Sequence, residues 1–112
     1  MVAPNTIEIP ATATGGGVPV RPGRVVAASG ALLVTDSIVL ASAAGGPISL
    51  SLPDPALYTN KTITIKKTDA TVNSVTITPF AAETIDGAGS VVIASPQESV
   101  DLWTDGVNWF AI

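Results

Sequence analysis

Ser99-Val100-Asp101-Leu102-Trp103-Thr104-Asp105-Gly106-Val107-Asn108-Trp109-Phe110-Ala111-Ile112 closes the chain. Two runs of β-forming residues flank Asp105-Gly106, a pair suited to the positive φ of a tight turn. A two-residue loop there predicts Thr104 opposite Val107, Trp103 opposite Asn108 and Leu102 opposite Trp109. Directly opposed residues share a face. One face then holds Val100, Leu102, Val107, Trp109 and Ala111 and reads as core. The other holds Trp103, Phe110 and Ile112 beside Asp101 and Asn108. Three large apolar groups exceed what a freely solvated face carries, so a cover is expected, either the N-terminal segment or another subunit.

The same period of two runs backwards through the chain. Ile48, Leu50 and Leu52 alternate with Ser49 and Ser51; Ile63 and Ile65 with Thr62, Thr64 and Lys66; Val75 and Ile77 with Thr76 and Thr78. This is the pattern of half-buried strands with hydroxyls on the wet side. Strands are predicted near 32–40, 47–52, 61–67, 74–79, 83–86, 90–95, 98–104 and 107–112, with at most one helical turn at 56–60. Pro53-Asp54-Pro55 and Asp86-Gly87 supply the breaks. Short, evenly spaced strands without helices predict an all-β fold, an antiparallel β-sandwich or small barrel.

Residues 1–30 read differently. They hold Pro4, Pro10, Pro19, Pro22 and Gly15-Gly16-Gly17, a composition incompatible with helix. They also hold Ile7, Ile9, Val18, Val20, Val25 and Val26, too many apolar side chains for a solvated linker. The division expected is an extended arm over 1–30 and a β-domain over 31–112. Laid on a neighbouring surface, the arm would attach the protein through Ile7-Glu8-Ile9, Val18 and Val20. Arg21 and Arg24, the only arginines, would pair with a partner's carboxylates. The alternative is an arm folded back on its own domain.

Composition restricts function. Of the 112 residues 12% are charged, about half the usual share. So sparse a charged surface favours assembly with other copies or a partner. Net charge is −4 with five Lys plus Arg, which argues against nucleic acid; Lys66-Lys67, the one basic pair, reads as a solvated strand end. The chain has no histidine and no cysteine. That removes the usual general base, disulfides and thiolate metal sites, and no metal or cofactor is expected. Glu83, Asp86, Glu98, Asp101 and Asp105 read as turn and strand carboxylates rather than a catalytic pair. No apolar run reaches membrane-spanning length. The opening Met1–Asn5 lacks a basic segment followed by an apolar core, so export by that route is not expected.

The ordered blocks Gly46-Pro47-Ile48-Ser49-Leu50-Ser51-Leu52-Pro53, Thr62–Lys67, Ser74–Pro79, Glu83–Gly87 and Glu98–Phe110 resemble a small β-domain of tailed-bacteriophage structural proteins. Such domains occur in head fibres, capsid decoration (cement) proteins and tail appendages. The resemblance covers about residues 35–112; Trp103 departs from it, since a smaller β-former would be expected there. It implies a homotrimer on a virion without enzymatic activity, assembled in the host cytoplasm. The function expected is capsid decoration, with the major capsid protein as partner and Trp103, Phe110 and Ile112 at the oligomer interface. The alternative is a fibre module that recognises a host glycan, with Trp103 as a stacking platform. Neither nucleic acid nor membrane is expected as a partner.

Overall fold

A computed structural model describes residues 20–112. The strands are β1 (Gly23–Val26), β2 (Gly30–Ala31), β3 (Ile38–Ala41), β4 (Ile48–Ser51), β5 (Thr62–Lys67), β6 (Val75–Thr78), β7 (Val91–Ile93), β8 (Ser99–Thr104) and β9 (Trp109–Ala111). One short 3₁₀ turn, Pro55–Leu57, follows the Pro53-Asp54-Pro55 break and is capped by the Asp54 side chain, which accepts from Ala56 N. The strands form two sheets, in the orders β1-β3-β5-β8-β9 and β2-β4-β6-β7. The all-β sandwich expected from the sequence is present.

The pairing is mixed rather than antiparallel throughout. From β1 to β6 the chain alternates between the sheets, and each strand lies parallel to the one laid down a turn earlier. The first six strands thus wind as three stacked coils, β1–β2, β3–β4 and β5–β6. Only the C-terminal strands turn back: β7 on β6, β8 on β5 and β9 on β8 run antiparallel. Successive strands therefore do not form hairpins across the coils. The Pro-Asp-Pro break carries the chain from one sheet to the other.

Two boundaries move. The stretch 32–40 is not one strand: the chain turns at 33–36, where Asp36 N donates to Leu33 O and Asp36 Oδ2 accepts from Leu33 N. Residues 23–30, assigned by sequence to the arm, supply with Ala31 the first coil of the sandwich. Glu83–Asp86 gives no strand, only isolated bridges from Ile85 to Ala88 and to Trp109.

Alternation fills the space between the sheets. Val39, Ala41, Ile63, Ile65 and Leu102 of one sheet meet Ile48, Leu50, Val75, Ile77 and Ile93 of the other, all buried. Each such aliphatic side chain gains about 1.5–3 kcal/mol on burial. Trp109 and Tyr58 close one end, their rings 5.6 Å apart.

Candidate assembly face and its supporting network

The outer face of the five-stranded sheet is where sequence placed the interface residues. Trp103 lies directly opposite Phe110, with ring centroids 6.0 Å apart and planes at 39°. The loop between them is two residues longer than expected. The register pairs Leu102 with Ala111 and Thr104 with Trp109. Asp105 Oδ1 accepts from Val107 N and Asn108 N, and Thr104 Oγ1 donates to Asn108 O, so four residues are held as the loop. A shift of two keeps every remaining side chain on its face. Val107 leaves the core and stands 64% exposed in the loop, and Ala111, also expected in the core, is exposed at the end of β9.

Ile112 extends the same face, its N–H donating to Asp101 O, with the side chain 74% exposed. Ile38 and Leu40 of β3 and Val25 of β1 share this face through the registers Ile38–Thr64–Asp101 and Val25–Leu40–Lys66. A polar strip crosses it. Arg21 Nη2 donates to Thr64 Oγ1 at 2.8 Å and Arg21 Nε to Ser37 Oγ at 2.9 Å, while Thr64 Oγ1 donates to Asp101 Oδ1 at 2.6 Å. The opposite outer face is a hydroxyl surface: Ser49, Ser51, Thr76 and Thr78, with Val92 the large apolar side chain among them.

The attachment residues divide. Ile7, Glu8, Ile9 and Val18 lie outside the described residues. Val20 is 90% exposed. Arg21 and Arg24 both make hydrogen bonds within the chain, Arg21 to Ser37 and Thr64 and Arg24 to Asp36. Arg24 forms a bidentate pair with Asp36, Nε to Oδ1 and Nη2 to Oδ2 at 2.7 Å each. That guanidinium holds the Asp36 carboxyl below the usual carboxylate range, and the Asp36 bond raises Arg24 in turn. The Tyr58 hydroxyl donates to Asp36 O, and burial pushes the phenol up. Lys61 Nζ sits 5.4 Å from the Tyr58 ring centroid. Arg24, Asp36, Tyr58 and Trp109 therefore tie the first coil to the last strand.

A second network was not legible as such. Lys67 was expected as a solvated strand end but is fully buried, paired with Asp69 at 2.8 Å and donating to Thr71 O at 2.7 Å. Asp69 also accepts from Ala43 N at 2.7 Å and Thr71 N at 3.0 Å, and these bonds, led by that from Lys67, hold its carboxyl far below the usual range. Asn73 Nδ2 donates to Ala43 O at 2.8 Å. The cluster stitches the turn after β3 to the turn after β5. The signal lay in parity: Lys67 shares its face with the buried Ile63 and Ile65.

Of the other carboxylates weighed from sequence, Asp86 and Glu98 serve the backbone, while Glu83 Oε1 is buried without a hydrogen-bond partner. Asp86 Oδ1 accepts from Ala111 N, and Glu98 Oε1 from Ala94 N and Ser95 N. No group of three or more metal-ligating side chains occurs among the described residues. Among them no helix is long and apolar enough to cross a membrane. No family model matches the chain, and neither a curated protein nor a solved structure matches it.

Proposed function

We propose that this protein is a non-enzymatic building block of a larger assembly, and specifically a decoration protein of a tailed-phage head that trimerises through the outer face of the five-stranded sheet. The observation that carries the reading is the asymmetry of the two outer faces. One presents Trp103, Phe110, Ile112, Ile38, Leu40 and Val25; the other presents a Ser/Thr ladder. An apolar face on one side gains by meeting another copy, whereas hydroxyls solvate well. Cyclic symmetry about an axis would cover that face in every copy. The phage address and the major capsid protein as target rest on the resemblance of the sequence blocks. The chain's lack of histidine and cysteine supports the non-enzymatic part.

As a glycan-reading fibre module the protein would need an aromatic ring presented flat to solvent, and Trp103 instead leans on Phe110. Stoichiometry on purified particles separates the two. Hundreds of copies per particle are expected for decoration; a handful would assign the protein to a fibre.

A further inference from the structure

The apolar residues on the outer face of the five-stranded sheet form two groups, and the strand order β1-β3-β5-β8-β9 sets their places. Val25, Ile38 and Leu40 stand on β1 and β3, joined by the pair Val25–Leu40. Trp103, Phe110 and Ile112 stand on β8 and along β9, joined by the pair Trp103–Phe110. Each group ends in an exposed aliphatic side chain, Val25 at 71% and Ile112 at 74%. Between the groups lie charges of opposite sign in a fixed order. Lys66 of β5 points outward, between the buried Ile65 and Lys67, and pairs with Leu40. Arg21 reaches Thr64 of the same strand, so the cations border the first group. Asp101 of β8 borders the second, its carbonyl accepting from Ile112 N. Across the strands the face therefore runs apolar, cationic, anionic, apolar.

We infer that these two groups are the two halves of one contact: the β8–β9 group of one copy packs on the β1–β3 group of the next. The inference rests on the assembly reading above and says which surface meets which. A ring of three copies closes only through two different patches on each copy, and this face carries two. Charge then selects the pairing. With the β8–β9 group laid on a neighbour's β1–β3 group, Asp101 of one copy comes towards Lys66 and Arg21 of the next. With like on like, Asp101 would come towards Asp101 and Lys66 towards Lys66, and such like-charge contacts suppress association. The same arrangement withdraws Val25 and Ile112 from water, which like-on-like packing would do for only one of them at a time.

Val25 and Ile112 report the pairing, because both are exposed and the full chain has no cysteine. They lie on the two edge columns of one sheet, four strand spacings or about 19 Å apart. A bismaleimide with a much shorter spacer therefore cannot join them within a chain. In Val25→Cys/Ile112→Cys the reagent should link chains up to a covalent trimer. Val25→Cys alone and Ile112→Cys alone should link several-fold less. Single variants that link as well as the double one, or a double variant that stays unlinked while sedimenting as an oligomer, would overturn the pairing and leave the assembly reading standing. A double variant that stays unlinked and sediments as a single chain would overturn both. As a measurement free of thiols, Lys66→Glu should weaken association several-fold, since Asp101 of the next copy would then meet a like charge. Association unchanged by Lys66→Glu would overturn the pairing equally.

Discussion

Asp36 receives both Arg24 donors at 2.7 Å, joining the first coil of the sandwich to the turn that leads into β3. Asp36 is buried and the Arg24 side chain 42% exposed. That exposure screens the pair, so Arg24→Ala should cost about 1–2 kcal/mol, below the figure for a fully buried pair. Asp36→Ala should cost more, because Leu33 N loses its acceptor as well. Urea unfolding followed by tryptophan fluorescence measures both.

Acid should weaken the fold through the same carboxyl and through Asp69. Both are held below their usual values by their cationic partners and by backbone donors. A depressed carboxylate contributes stability that is present above its unfolded value, about pH 4, and lost as pH falls through the folded value. The unfolding midpoint should therefore stay flat in this respect from neutral pH to about 4 and drop below it. Asp69→Asn should lower the neutral midpoint and flatten the acid limb. A limb as steep as in the unaltered protein would remove Asp69 from the account.

Asp69→Ala should be more damaging than Arg24→Ala. It leaves the Lys67 ammonium buried without its carboxylate and takes the acceptor from Ala43 N and Thr71 N. Lys67→Met/Asp69→Ala should recover part of the loss, since no buried charge then remains. Equal midpoints for the single and double variants would contradict this reading.

Gly106 and Gly87 both have positive φ, +100° and +80°, so alanine at either should cost roughly 1–2 kcal/mol. Gly106→Ala should cost more. Its Cβ would lie 2.9 Å from Thr59 Oγ1, which would have to leave Pro55 O and Ala56 O, whereas Gly87 faces open space. Thermal melts of the two variants give the order.

How much of this was readable in sequence follows from what alternation encodes. Period two located β4, β5, β6 and β8 and put Ile63, Leu102 and Trp109 inside, because it reports which side of a strand is buried. It does not report direction: a half-buried strand alternates alike in parallel and antiparallel pairs. The parallel coils stayed hidden because neighbours in sequence, such as β4 and β5, lie in different sheets. β1 and β2 were missed for another reason. Their burial is slight, and Gly30-Ala31 is too short to show a period. Trp103 and Phe110 were placed on the correct face despite the wrong loop length, since the error was an even number of residues.

The central claim is that copies meet through the Trp103–Phe110 face, and sedimentation equilibrium of the unaltered chain beside Trp103→Glu and Phe110→Glu tests it most directly. The unaltered protein should sediment at three times the 11.2 kDa chain mass at micromolar concentration. Each variant should fall to the single-chain mass while keeping a β-type circular dichroism spectrum, because both side chains lie outside the core between the sheets. An unaltered protein that is monomeric, or variants that remain trimeric, would contradict the account.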